Sequence, residues 1–425
     1  MPEVFRKCSC KLRQACEKGC RLGMPVPRGP WRLQPRDEVA ERAWHSRDGG
    51  AAGVVTTVRG AGSTLRSFVA WHLRTGFAHV LLYLDDPEEL EEVRSLLCDF
   101  EQERITLVAC DAAHRASWEG LASWHRLGSH AEVEVQARQV LNAEHAVEGA
   151  GDLGLAWLLH IDADEAFYCG GRSACEHFAA LTAEGVTCMK YINFEAVAER
   201  VEVDDFFREV SLFRRHLAAV RPSGPETFAL LKPAIEFWIS RSPHEHFFEG
   251  YSNGKAAVAV MPGANPTSVH CWLPATPALV EKAGHNFASA RPPEDCLPGA
   301  HLVKSSLALE ACVLHWSAAV GYTAWRRKYA LLGHFANAWF GGKEPIPPGF
   351  HLDSRDVCAA GDDAAALAFY KKRAVLEDSE EVARQLASGL CVRLPRISQV
   401  VSAAGDGDAI AAALAEADAS PVRAQ

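Results

Sequence analysis

Segments that favour strands alternate with segments that favour helices from residue 54 onward. Residues 54–58, 79–84 and 105–109 are short, apolar and mostly rich in β-branched or aromatic side chains, which is typical of buried strands. Between them, apolar residues recur at the three- and four-residue spacing of one helix face. We therefore predict an α/β fold whose mainly parallel sheet is flanked by helices.

The sharpest break in this pattern lies in LAWLLHIDADEAFY, residues 155–168. An apolar run that has the character of a fourth strand ends in three acidic side chains, Asp162, Asp164 and Glu165. Carboxylates packed this closely raise one another's pKa values unless a cation neutralises them, and oxygen ligands favour Mg²⁺ or Mn²⁺ over softer metals. The pattern predicts a divalent-metal site, with an ordinary polar turn as the alternative.

Acidic side chains also follow the second and third predicted strands. Asp85 and Asp86 come directly after residues 79–84, and Asp111 comes shortly after residues 105–109. The carboxyl ends of parallel strands meet at one edge of a sheet, and open α/β sheets bind their ligands there. We therefore expect one site at this edge rather than scattered surface charge.

Two other enzyme classes share parts of the pattern. The turn at residues 60–65, GAGSTL, follows a strand and opens a helix, as a dinucleotide-binding turn does. However, Leu65 stands where that fingerprint has a third Gly or Ala, and a dehydrogenase leaves the acidic triplet without a task. A phosphatase with Asp162 as nucleophile usually carries its motif on an early strand, followed by Thr or Val rather than Glu165. We keep both as alternatives.

Charge and composition exclude other classes. The chain has 54 acidic and 44 basic residues among 425, a formal net charge of -10, so no overall basic field attracts nucleic acid. No run of 18 apolar residues occurs, and we therefore expect no transmembrane segment and a soluble protein as written. The compartment stays open, and a Golgi or other secretory-pathway membrane is the alternative if the N-terminus is incomplete.

The two ends of the chain differ from its centre. Four cysteines lie in a basic N-terminal segment: Cys8, Cys10, Cys16 and Cys20. Their spacing is not that of paired zinc ligands, so we interpret residues 1–50 as a flexible arm and linker, with zinc as the alternative. Residues 51–320 carry the strand–helix alternation. Residues 321–425 are predicted as a helical C-terminal region with a low-complexity tail, whose aromatic residues are core or, alternatively, an acceptor platform.

Four blocks of the sequence resemble the glycosyltransferases of family 92 and their relatives in the family 2-like group. They are VVTTVRGAGSTLRSFVAWHLRTGFAHVLLYLDDP, ARQVLNAEHA followed by WLLHIDADEAF, SNGKAAVAV with SVHCW, and CVLHWSAAVGYTAWRRKYALLG. Their order also matches the family, and they span roughly residues 53–335. The chain departs from the family in its first turn, RGAGST, and in the tryptophan that follows the histidine of CVLHW.

The resemblance implies a GT-A fold and a hexosyltransferase reaction. Such an enzyme moves a hexose from a nucleotide-diphosphate sugar, most often a UDP-hexose, to a carbohydrate or glycoconjugate acceptor, and this family is regarded as inverting. The acidic motif would hold Mn²⁺ or Mg²⁺ on the donor diphosphate. The alternative to an active enzyme is a homologue that binds glycans without turnover.

The resemblance also implies roles for individual residues. Asp164 would bind the metal directly, and Asp162 would contact the metal or the donor ribose. Asp85 would lie near the nucleotide and Arg59 near its base or phosphate, with a strand-end turn acid and a solvated loop arginine as the alternatives. Lys255, in SNGKAAV, would reach the diphosphate, with an exposed hairpin lysine as the alternative.

A histidine distant in sequence would complete the metal's coordination, because two neighbouring aspartates rarely do so. His315 in CVLHW is our prediction and His270 in SVHCW the alternate, and either could instead be a core histidine bonded to a backbone carbonyl. An inverting transfer also needs a general base. The sequence does not identify it: Glu245 and Glu195 are candidates, with ordinary polar or packing roles as the alternative.

Overall fold

The computed structural model describes residues 49–60, 62–220, 225–261, 263–273, 302–306 and 311–403. The four N-terminal cysteines and most of the low-complexity tail lie outside these residues, so the arm, the zinc alternative and the tail stay predictions. Within the described part of the chain, no helix combines the length and apolar character that crossing a bilayer requires.

The first elements alternate as the sequence predicts. The strands are β1 (Ala52–Val58), β2 (His79–Leu84), β3 (Ile105–Ala109) and β4 (Trp157–His160). The helices are α1 (Thr64–Arg74), α2 (Leu90–Leu96), α3 (Ala112–Ser117), α4 (Trp124–Leu127) and α5 (Val135–Ala150). A separate 3₁₀ turn at residues 128–130 precedes α5, the long helix before β4.

Shorter strands and helices make up the rest of the described chain. Its middle contains β5 (Glu165–Tyr168), α6 (Ala174–Ala183), β6 (Val186–Tyr191), β7 (Asn193–Ala196), α7 (Phe206–Glu209), β8 (Leu212–Arg214), α8 (Pro225–Arg241), β9 (Lys255–Ala259), β10 (Asn265–Ser268), β11 (Cys271–Leu273), β12 (Leu302–Ser306) and β13 (Cys312–His315). Its end contains α9 (Tyr322–Leu332), β14 (Ala338–Trp339), β15 (Glu344–Pro345), α10 (Phe350–Ala359), α11 (Asp363–Ala374), α12 (Ser379–Ala387), β16 (Cys391–Arg393) and α13 (Arg396–Ser402).

A mostly parallel sheet confirms the predicted α/β class. Among the described residues it has seven strands in the order β12-β6-β9-β4-β1-β2-β3, and only β9 runs antiparallel to its neighbours. In β1, β2 and β3, the last residues Val58, Leu84 and Ala109 pair in register. The loops after these strands and after β4 therefore share one edge of the sheet, as the sequence predicts.

A second sheet brings a distant histidine to the acidic turn. It has five strands within the described residues, in the order β16-β8-β7-β13-β5, and β5 starts at Glu165 of the acidic triplet. The antiparallel register of β13 and β5 sets His315 opposite Glu165, and the parallel register of β13 and β7 sets it opposite Glu195. This pairing places the CVLHW block beside the DADE block.

Hydrogen bonds from α1 fix β5 within the core. The indole Nε1–H of Trp71 donates to the carbonyl of Phe167 at 2.8 Å, and the backbone N–H of Phe167 donates to His72 Nε2 at 3.3 Å. His72 Nδ1–H then donates to the carbonyl of Phe68 at 2.8 Å, which assigns the tautomer. Burial lowers the pKa of His72 to about 3, so the imidazole is neutral and both ring nitrogens are satisfied.

The C-terminal helices pack through buried aromatic side chains. Trp325 of α9 donates its indole N–H to Ser354 of α10 at 3.2 Å, and the Tyr370 hydroxyl of α11 accepts the N–H of Gly321 at 2.9 Å. Both aromatic rings are fully buried, which confirms the core interpretation for these two residues. The proposed boundary at residue 320 stays a prediction.

Candidate active site

Asp162 lies in the turn between β4 and β5 and accepts two charged or polar donors. Lys255 Nζ donates to Oδ2 at 2.7 Å, and the side-chain amide of Gln139 on α5 donates to Oδ1 at 2.7 Å. Burial would raise the pKa of Asp162, but attraction to the Lys255 ammonium outweighs it and holds the pKa below its usual value. Asp162 is therefore ionised at neutral pH and fixed in orientation.

Asp164 pairs with a lysine from the C-terminal helices. Lys328 Nζ of α9 donates to Asp164 Oδ2 at 2.7 Å, and the Asp164 carbonyl accepts the N–H of Trp316, next to His315. Burial would raise the pKa of Asp164, but attraction to the Lys328 ammonium, the largest opposing influence, holds the pKa below its usual value. Asp164 is thus a second ionised carboxylate.

Glu165 is buried and stabilises the acidic turn through hydrogen bonds. Its side chain is 0% exposed, Oε2 accepts the backbone N–H of Asp162 at 2.8 Å, and Oε1 accepts the Tyr251 hydroxyl. Burial, the largest influence, raises the pKa of Glu165 to about 8, so the side chain is mostly uncharged at neutral pH. Two carboxylates then face two ammonium groups, and the network is close to neutral.

Tyr251 lies between the two candidate histidines. Its ring centroid is 4.6 Å from that of His315 and 4.5 Å from that of His270. His270 bonds the carbonyl of Gly254 through Nδ1 at 2.9 Å, as expected of a structural histidine. His315 Nδ1 is buried and has no hydrogen-bond partner among the described residues. Burial lowers the pKa of His315 to about 4 although Asp164 raises it, so the ring is neutral, as a metal ligand must be.

Lys255 is buried rather than exposed, so the exposed-hairpin alternative was wrong. It begins β9, which pairs with β4 on one side and β6 on the other, and its side chain is 0% exposed. Burial would lower the pKa of Lys255, but attraction to the Asp162 carboxylate, the largest opposing influence, helps to raise it above its usual value. Lys255 therefore contacts the acidic turn itself, and its proposed contact with a diphosphate stays a prediction.

Gly254 sets the entry of the chain into β9, and we expect Gly254→Ala to destabilise the fold strongly. Its φ is +69°, and an added Cβ would lie 1.9 Å from the carbonyl oxygen of Tyr191. We expect a loss of about 3 kcal/mol or more, measured by urea unfolding. Gly185→Ala is the matched control, because Gly185 has φ +74° but no described atom within 4 Å of its Cβ position. It should cost only about 1–2 kcal/mol, and equal losses in both variants would contradict the steric argument.

Asp85 is already paired where it follows β2. Arg138 of α5 binds it with two hydrogen bonds of 2.6 and 2.9 Å, and Arg115 Nη2 lies 3.8 Å from Oδ1. The other acidic residues at this edge have local roles, since Asp86 caps a turn through Glu88 N–H and Asp111 caps α3 through His114 N–H. Capping accounts for part of the acidic pattern, and the nucleotide contact of Asp85 stays a prediction.

Arg59 and Glu245 are exposed residues that lie outside the helices and strands. Arg59 follows β1, and beside it the N–H of Gly60 donates to both carboxylate oxygens of Glu89 at 2.8 and 3.0 Å. Glu245 lies in the turn after α8 with φ +55°, and its N–H donates to the Ser242 carbonyl at 3.1 Å. The roles assigned to Arg59 and Glu245 stay predictions.

Glu195 has a packing role, as the alternative interpretation expects. It is buried, pairs with Arg214, and accepts the N–H groups of Glu249, at 3.0 Å, and of Gly250. Arg214 in turn lies over the Trp238 ring at 4.2 Å. This pair anchors the loop that ends at Tyr251, so Glu195 acts on the site through its backbone partners.

Sequence reasoning missed Lys328, Gln139 and Tyr251. Lys328 lies in the resemblance block WRRKYALLG and Gln139 in ARQVLNAEHA, so both stood within recognised segments without a distinguishing feature. Tyr251 directly precedes SNGK. Their contacts with the acidic turn join elements that are distant in sequence, and no local pattern reveals such pairings.

The donor set fits a metal bound together with phosphate rather than a closed protein cage. No group of three or more His, Cys, Asp and Glu side chains is spaced to hold an ion within the described residues. Mg²⁺ is nevertheless usually bound by one or two carboxylates with water and substrate phosphates completing the shell. Two ionised aspartates in one turn match that chemistry. The unpaired His315 Nδ1 instead lies against Gly250, so the role of His315 as a metal ligand stays a prediction.

Comparisons with known proteins support a glycosyltransferase, but only over part of the chain. Two Arabidopsis thaliana proteins named glycosyltransferase-like are 29% identical over 142 residues and 26% identical over 144 residues, in each case 33% of this chain. The chain spans only 26% and 30% of their lengths. No family model matches the chain, so membership of family 92 is not shown.

A solved structure gives a weaker match. Core-mannan synthase A from Aspergillus fumigatus, in its Mn/GDP form, is 12% identical, with a TM-score of 0.24 over 56% of this chain and 68% of that one. A likeness of this size supports no conclusion about fold or function. A third of the chain is thus similar to proteins named glycosyltransferase-like. The sheet and the acidic turn are observations on this chain that do not depend on that similarity.

Proposed function

We propose that this protein is a metal-dependent glycosyltransferase of GT-A type. It would move a hexose from a nucleotide-diphosphate sugar, such as a UDP-hexose, to a glycan or glycoconjugate acceptor with inversion. The observation that carries the proposal is the pair of ionised aspartates, Asp162 and Asp164, at the carboxyl edge of a mostly parallel sheet. Similarity to proteins named glycosyltransferase-like supports the reaction class.

The two aspartates, together with the donor's phosphates, would hold Mn²⁺ or Mg²⁺. Asp164 would bind the ion directly, Asp162 would contact the ion or the donor ribose, and His315, with His270 as the alternate, is the histidine that we propose as a further ligand. When bound, the ion supplies Lewis-acid stabilisation of the negative charge that develops on the leaving diphosphate. Lys255 keeps Asp162 ionised and oriented, and Tyr251 packs against the His315 ring.

The remaining assigned residues would surround the substrates. Asp85, held by Arg138, and Arg59, in the loop after β1, would border the nucleotide at the same edge of the sheet. An inverting transfer needs a base that removes the acceptor's hydroxyl proton, and Glu245 is the candidate that the sequence offers. Its exposed position suits contact with an incoming acceptor.

Ligand-induced stabilisation separates this proposal from a dinucleotide-binding enzyme. A ligand that binds only the folded state raises the unfolding temperature. We expect UDP or GDP with Mn²⁺ to raise the Tm of the full chain by several degrees. A shift of about this size is usual for a ligand at saturating concentration that binds only the folded state. NAD and NADP should leave the Tm unchanged. A shift with NAD in the absence of metal would instead favour the dehydrogenase interpretation of the GAGSTL turn.

A further inference from the structure

Two lysines neutralise the acidic turn, but their side chains differ in exposure and in how far they can move. Lys255 and Lys328 each lie 2.7 Å from their aspartate. The Lys255 side chain is 0% exposed, comes from a strand paired on both sides, and also donates to the Val269 carbonyl at 3.3 Å. The Lys328 side chain is 35% exposed, and Asp164 is 18% exposed. Lys328 can therefore leave its partner for solvent or for a ligand without breaking the core.

The helix that carries Lys328 borders two loops of the sheet edge. At one point α9 reaches Asp164 in the turn after β4. At another, Leu331 Cδ1 and Arg327 Nη2 lie 2.8 and 3.7 Å from where a Cβ on Gly60 would be, in the loop after β1. Lys328 and Arg327 thus line the same edge as the two aspartates, where an anionic ligand would meet them.

A divalent ion and the Lys328 ammonium compete for the same carboxylate. Both are cations, and at the 2.7 Å separation of Lys328 from Asp164 Oδ2 an ion on that oxygen would lie within a few ångströms of the ammonium. The repulsion between the two cations is relieved when Lys328 moves away. A diphosphate bound beside the ion offers the ammonium new charge-assisted hydrogen bonds.

We propose that Lys328 is an exchangeable counter-ion, which neutralises Asp164 when no donor is bound and moves to the donor's diphosphate when the metal and nucleotide bind. The inference rests on the proposed function and names a positioning and binding residue for it. It gives Lys328 opposite effects on two affinities: the lysine opposes binding of the metal alone and favours binding of the metal–nucleotide pair.

Calorimetry on the full chain tests this opposition. Mn²⁺ alone would be titrated into the wild type, Lys328→Met and Lys328→Arg, followed by UDP and GDP in the presence of saturating Mn²⁺. We expect Lys328→Met to bind Mn²⁺ about 10-fold more tightly and the nucleoside diphosphate about 10-fold more weakly. Lys328→Arg should retain most of the nucleotide affinity. Lys232→Met is the control, since Lys232 pairs only loosely with Glu236 on the surface of α8, at 3.7 Å.

The outcomes separate the two proposals. If Lys328→Met lowers both affinities, or changes neither, while the wild type binds nucleotide with Mn²⁺, the counter-ion role is overturned and the proposed function stands. If the wild type binds neither UDP nor GDP with Mn²⁺, the proposed function fails and the inference fails with it. Thermal unfolding of each variant shows whether a lost affinity reflects a lost fold.

Discussion

Glu195→Gln is expected to lower the free energy of unfolding by about 3–5 kcal/mol, the range for breaking a buried ion pair. Glu195 and Arg214 are both almost fully buried, so removing the carboxylate charge leaves the guanidinium without its counter-ion. The glutamine amide would also meet the N–H groups of Glu249 and Gly250, which need acceptors. Urea unfolding monitored by tryptophan fluorescence gives the difference.

A surface pair on the same chain provides the control. Glu199 pairs with Arg393 at 2.7 Å, and both side chains are more than a third exposed. Glu199→Gln should cost no more than about 1 kcal/mol, because exposed ion pairs contribute little. A Glu195→Gln variant as stable as this control would show that the buried pair does not anchor the loop that leads to Tyr251.

Asp164→Asn is expected to weaken binding of a nucleoside diphosphate with Mn²⁺ by at least about 100-fold, since changes that only support a metal site already cost 10- to 100-fold. The substitution removes the charge that would hold the ion and leaves side-chain volume almost unchanged. Calorimetry with UDP and Mn²⁺ measures the loss. Asp86→Asn is the matched control: Asp86 follows β2 at the same edge but only caps a turn, a role that asparagine also fills.

The result has a simple failing outcome. Equal affinity for UDP in Asp164→Asn and in the wild type, with both proteins folded, would remove Asp164 from the site. A loss of affinity in Asp86→Asn as large as that in Asp164→Asn would show that the whole edge, rather than the acidic turn, controls binding.

The strands whose ends form the edge of the site could be predicted because each is a short apolar segment of the sequence. Residues 54–58, 79–84 and 105–109 are confirmed as strands, and the apolar run before Asp162 contains β4. Parallel strands buried on both faces are nearly continuous apolar runs, and β1 and β2 are such strands, whereas β3 at the edge of the sheet is half-buried. The position of Asp162 and Asp164 at a strand end followed directly from the apolar run before them.

The basic partners of Asp85, Asp162 and Asp164 could not be predicted, because each comes from an element distant in sequence. Lys255 follows a Gly in SNGK, which locally suggests an exposed turn, yet β9 inserts between β4 and β6 and buries it. Arg138 and Lys328 lie on amphipathic helices whose periodicity shows which face is apolar but not which acid a basic residue meets. Their pairing depends on tertiary packing alone.

Release of nucleoside diphosphate from nucleotide sugars tests the central claim most directly. The full chain would be incubated with a panel of UDP- and GDP-hexoses and glycan acceptors, once with Mn²⁺ and once with EDTA. The account predicts release from at least one donor with Mn²⁺, loss of that release in EDTA, and its recovery when excess Mn²⁺ is restored. Release at the same rate in EDTA would contradict the metal dependence, and no release from any donor would contradict the transferase itself.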